Sequence, residues 1–109
     1  MSSFLDILRH EFEAGEHSFL VKMRCDLTWD PEAFARLTAA MEACCQQTAT
    51  DVRLDRWLAT GFWYLSSVVP DWTRHAEFRR RNPDIAYEAA YERLWELAYW
   101  FFMGQAPTA

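Results

Sequence analysis

Apolar residues in this chain recur every three to four positions through most of its length, in segments separated by short polar stretches. That spacing gathers them on one side of an α-helix, which turns about 100° per residue, and does not match the two-residue repeat of a half-buried strand. With only three glycines and four prolines, the chain lacks the turn residues of an all-β fold. The predicted fold is all-α: one domain, a bundle of four antiparallel helices over residues 1–104, and a short tail at 105–109. At 109 residues, 17% aromatic and with six tryptophans, it can bury a sizeable core without disulfides or metal.

Helix boundaries follow from caps and breakers. A first helix is expected over 3–25, with Ser3 as cap and Asp6 in its first turn. Leu5, Leu8, Phe12, Phe19 and Met23 keep one phase past Gly15, which favours a single helix bending there over two that meet. Residues 18–26 also alternate, so a strand is the lesser reading. Asp30-Pro31-Glu32 is a strong start for a second helix, 31–48, with Phe34, Leu37, Met41, Cys44 and Cys45 inward. Asp51 is expected to cap a third, 52–69, with Leu54, Trp57, Leu58, Gly61, Leu65, Val68 and Val69 inward and Pro70 as its end. Residues 70–83 read as an irregular loop. Asn82-Pro83-Asp84 then opens a fourth helix, 84–103, closed by Gly104. Tyr87, Ala90, Tyr91, Leu94, Ala98, Phe101 and Phe102 face inward on it, and Glu88, Glu92 and Glu96 form a ladder outside.

The net charge of −5 disfavours nucleic acid and anionic lipid as partners, since both demand a basic surface. No apolar stretch is long enough to span a bilayer. The three cysteines are odd in number, and Cys44 and Cys45 are neighbours, which points to free thiols, a reducing compartment and a cytoplasmic protein. The N-terminus lacks the basic and apolar regions of a signal peptide.

Chemical motifs are sparse. His10, Glu13 and His17 share a helical face, but no second helix supplies the matching pair of a di-metal bundle, and a solvated polar face explains them better. Cys44-Cys45 lacks metal or redox spacing, and both fall on an apolar stripe. Ser66, Ser67, Thr73, Asp71 and His75 form no recognisable nucleophile, base and orienting group. Neither catalytic nor metal residues are assigned, and no cofactor is expected.

Two surface features stand out. Trp63 projects to the side of its helix opposite the apolar stripe, among Arg56, Ala59, Thr60, Ser66 and Ser67. Tyr99, Trp100 and Met103 likewise point away from the core side of the fourth helix. These four residues are interface candidates. The second feature is the cluster of Trp72, Arg74, His75, Arg79, Arg80 and Arg81, which suits an anionic ligand. Its alternative role is internal, with the arginines pairing to the Glu88, Glu92 and Glu96 ladder and Trp72 and Phe78 plugging the bundle end. The expected function is a small acidic interaction protein (an adaptor, an inhibitor or an immunity-type protein) that binds a protein partner or a second copy of itself. The alternative is a bundle holding a small anionic or aromatic ligand at 70–83.

Overall fold

The Asp30-Pro31 start forms as its chemistry demands. In the computed structural model, which describes residues 3–107, the Asp30 carboxylate accepts from the Glu32 and Ala33 N–H groups at 3.0 and 3.2 Å. The helix it caps runs Pro31–Thr48 and is α3. Before it come α1 (Phe4–Phe12) and α2 (Phe19–Cys25); after it come α4 (Arg56–Thr73), α5 (Ala76–Arg81) and α6 (Tyr87–Met103). The described residues contain no strand, so the fold is all-α as expected, and 19–25 is helical. Residues 108 and 109 of the expected tail lie outside the described residues, as does the Met1-Ser2 start.

The element boundaries differ from expectation at four places. The first expected helix is two helices. His10 Nε2 lies 2.7 Å from the Glu16 carbonyl, and the buried Glu11 carboxylate accepts from the Phe19 N–H at 2.8 Å. Ser18 then caps α2 by accepting from Val21. These side chains fold the backbone back, and Ala14 and His17 adopt left-handed φ values of 54° and 66° to make the turn. Such conformations cost a non-glycine residue about 1–2 kcal/mol each. Gly15 is needed for closeness: a Cβ there would lie 2.4 Å from the His10 ring.

The other three differences lie around α4 and α5. Asp51 does not cap α4, because its N–H closes a turn onto Thr48 at the end of α3, and α4 begins after Asp55. Pro70 does not end α4, which continues to Thr73. Proline withholds one helical hydrogen bond, at a typical cost of about 3 kcal/mol. Burial of Val69 and Thr73 offsets it, and the Thr73 hydroxyl bonds both the Val69 carbonyl and the Tyr91 hydroxyl. The expected loop 70–83 is therefore the end of α4 followed by α5. Asn82 does not cap α6, because its amide is occupied elsewhere: it accepts from Trp29 N–H and donates to the Leu27 and Phe78 carbonyls. α6 starts at Tyr87 instead, whose hydroxyl donates to the Asn82 carbonyl at 2.7 Å.

The core lies between α1, α3, α4 and α6, with α2 and α5 closing one end. Phe62 of α4 stacks on Phe101 of α6 with ring centroids 4.2 Å apart, while Thr73 meets Tyr91, so these two helices are antiparallel. Glu42 meets Arg93 and the Cys45 thiol meets the Leu97 carbonyl, so α3 and α6 run parallel. Trp29, in the α2–α3 connection, is buried among Phe19, Phe34 and Tyr87. No helix among the described residues is long and apolar enough to cross a membrane.

Adjacent residues on α4 should differ sharply in their contribution to stability. Phe62→Ala should lower the unfolding free energy by about 3–5 kcal/mol in urea titrations. Trp63→Ala should change it by only about 0.5 kcal/mol.

Candidate functional site

Trp63 is 60% exposed on the outer side of α4, the placement its helical phase predicts. Its setting is shared with α6. The buried side of α6 centres on Leu94 and Phe101, so Trp95 and Phe102 stand at the edge nearer α4, with Tyr99 further round. Trp95 is 56% and Phe102 45% exposed, and Met103 at the helix end is 61% exposed. Trp95 and Tyr99 rings lie 5.5 Å apart. The antiparallel pairing brings Trp63 to the level of Tyr99 and Phe102, more than one turn from Trp95. Among the described residues, four of the six large exposed apolar side chains thus sit on α4 and α6.

The composition of this face departs from the sequence reading at three positions. Phe102 was expected in the core, but α6 turns it past the edge that faces α4. Trp100 is half-buried and packs against the core cluster on the other flank of α6, so it does not share the Trp63 face. Trp95 went unnoticed, although it lies three residues from Glu92 and four from Tyr99 on the outward stripe. Tyr99 is half-buried and Met103 is exposed.

Beside the aromatic face, Glu88, Glu92 and Glu96 have no ion-pair partner among the described residues. The arginines of 70–83 do not reach them. Arg80 bonds Glu77 through two nitrogens at 2.9 and 2.6 Å, and Arg81 bonds it at 3.2 Å. Held by these two guanidiniums, the Glu77 carboxyl titrates at about 2. Arg79 turns inward to the Thr73 carbonyl and the Tyr91 hydroxyl, and Arg74 lies 4.9 Å from the centre of the Tyr91 ring. Phe78 is buried, whereas Trp72 and His75 meet edge to face at the surface beside Leu27, around a hollow of about 290 Å³ whose lining is almost wholly apolar. The arginines and the Trp72–His75 pair therefore do not converge on one cavity.

Groups with metal-ligating or nucleophilic potential are dispersed. His10 is turned to Glu16, and His17 is exposed. Among the described residues no three His, Cys, Asp or Glu side chains gather to hold a metal ion. Burial raises the Cys44 thiol to about 11 and the Cys45 thiol to about 12. Burial also raises the Glu11 carboxyl, against the Phe19 N–H that lowers it. A further feature that the sequence reading missed is a groove of about 740 Å³ between the α1–α2 turn and α4. It exists because the first helix breaks, a fold-back that an unbroken apolar phase concealed.

No protein-family model, curated protein or solved structure matches the chain.

Two outcomes follow from these side-chain environments. A thiol reagent at pH 8 should modify one cysteine per folded chain, the exposed Cys25, and three after denaturation, because the thiolate is the reactive form. Glu77→Gln should free Arg80 and Arg81, so adding phosphate in place of chloride at equal ionic strength should raise the melting temperature of the variant more than that of the wild type. Equal shifts would show that the arginine pair takes no anion when released.

Proposed function

We propose that this chain is a small protein-interaction module, of the adaptor, inhibitor or immunity type, whose docking face is the outer side of the α4–α6 pair. The observation that carries the reading is that Trp63 on α4 and Trp95 on the adjacent α6 are both more than half exposed. Tryptophan is enriched at the energetic centres of interfaces, where a large rigid ring buries much area at small entropic cost. Phe102 and Met103 extend the apolar surface, and exposed patches of this kind mark contact sites.

The partner that fits is a protein with an apolar patch edged by lysine or arginine. Glu88, Glu92 and Glu96, without ion-pair partners among the described residues, supply negative charge beside the aromatic cluster, and the whole chain carries −5. Charge of this kind steers encounter with a basic surface and selects against acidic ones. A second copy would bring the same acidic row to the same face, so a homodimer suits it less well. Three free thiols fit a reducing compartment, which supports a cytoplasmic setting.

The test is to capture the partner from the host's own extract, purify it and measure its affinity for wild type and for the Trp63→Ala, Trp95→Ala double variant. The double variant should keep its melting temperature and lose at least about 30-fold in affinity, as removal of two hot-spot rings implies. Affinity should also fall as salt is raised. An unchanged affinity would remove this face from the interaction. A wild type that sediments as a dimer, with the variant sedimenting as a monomer, would reassign the face to self-association.

A further inference from the structure

The groove between the α1–α2 turn and α4 carries basic side chains at its rim in a protein of net charge −5. Its floor is apolar: Phe12, Leu20, Trp57 and Leu65 line it. Phe12 reaches this position because Gly61 has no side chain; a Cβ on Gly61 would lie 2.2 Å from the Phe12 ring. One wall includes Ala14, held with φ at 54°. A volume of about 740 Å³ lies within the range of about 300–1,000 Å³ that small-molecule sites occupy.

The rim carries two exposed guanidiniums and two hydroxyls. Arg24 and Arg56 both line the groove, and neither has a carboxylate partner among the described residues. Arg24 donates to the Tyr64 hydroxyl at 3.1 Å, which leaves the Tyr64 proton available to a further acceptor. Thr60 adds a second hydroxyl between Arg56 and Tyr64 on the same stripe of α4. The single acid of the rim, Glu13, is paired with Arg9, which in turn covers Trp57 with its guanidinium carbon 4.2 Å from the ring centre. Two guanidiniums without carboxylate partners among the described residues and two hydroxyls thus stand above an apolar slot in a protein of charge −5.

We propose that this groove binds a small amphipathic carboxylate, with its apolar body against Trp57 and Leu20 and its head group on Arg24, Arg56 and the Tyr64 hydroxyl. Guanidinium forks match a carboxylate in geometry, and bonds between charged partners are the stronger kind. An alkyl or an aryl body would each satisfy the floor. Trp63 and Trp95 do not line the groove, although Thr60 and Arg56 precede Trp63 by one and two turns on α4.

The experiment uses the full chain, with decanoate and 2-naphthoate as probes and decanol as the uncharged control. Binding is followed by calorimetry and by amide and indole NMR shifts. Both carboxylates should shift the Trp57 indole N–H and the Gly61 amide, and the tighter of the two identifies the body as alkyl or aryl. Decanol should bind at least about tenfold more weakly than decanoate. Arg24→Ala with Arg56→Ala should weaken decanoate at least about tenfold while leaving decanol unchanged. If that variant melts lower than wild type, the Lys pair and the Gln pair at the same positions replace it, and the charged pair should bind decanoate more tightly. Trp63→Ala with Trp95→Ala should bind decanoate as wild type does, which separates this site from the proposed docking face. Equal binding of decanol and decanoate, shifts confined to residues outside the groove, or indifference to the loss of both arginines would each overturn the proposal.

Discussion

The rotation of α4 about its own axis decides what this molecule shows to its surroundings, and two neighbouring residues fix it. Gly61 accepts the Phe12 ring against bare backbone, and Phe62 stacks on Phe101 with the rings 9° from parallel. These contacts lie on different flanks of the helix, one toward α1 and one toward α6. With both satisfied, α4 has no freedom to turn. The next two residues are then placed by helical geometry alone: Trp63 is carried outside, and Tyr64 reaches Arg24 at the groove. Four consecutive side-chain positions therefore serve a close backbone contact, the core, an exposed face and a rim.

How much of this was legible depends on the range of the interaction involved. The Asp30-Pro31 start is local, because its donors lie two and three residues from the cap, and it was read correctly. The orientation of Trp63 follows from phase within a single helix and was equally legible. The same reasoning failed where a side chain is used far from its own turn. Asn82 looks like a cap for the residues after it, yet its amide accepts from Trp29, 53 positions earlier in the chain. Pro70 looks like a terminator, yet Tyr91 on a different helix helps to hold Thr73 in place beyond it. Glu11 carries no local signal of burial, but it is only 2% exposed because the Phe19 N–H needs an acceptor at the fold-back. In each instance a tertiary partner outweighed a local preference worth a few kcal/mol at most.

Charge shows the same division between local and distant. Arg80 and Arg81 sit three and four residues after Glu77, the spacing at which helical side chains meet, so one carboxylate within α5 offsets part of the charge of the arginine run. The pairing is exposed and contributes little to stability. Its effect is on the field, because it lowers the positive charge that the run presents. Arg24 and Arg56 are isolated in sequence, where Arg56 stands out only as a neighbour of Trp63. They come to line one groove when the α1–α2 fold-back sets α2 beside α4. A count of basic residues along the chain therefore points to α5, while the guanidiniums that line the groove come from α2 and α4.

The exposed rings are the costlier feature. Each square ångström of apolar surface left in water forgoes about 25 cal/mol of burial free energy, and a tryptophan carries enough area for this to matter. Small shifts of position would have hidden these rings: Trp63 is next to Phe62 and Trp95 is next to Leu94, both buried. Polar residues at 63 and 95 would cover the same sites with no loss of core, since the core already closes through Phe62, Leu94, Leu97 and Phe101. The fold therefore has no use of its own for the two rings at these positions. The proposed docking face gives them one: a covering surface would recover that burial, and the glutamates beside them, which find no ion-pair partner among the described residues, favour positive charge on it.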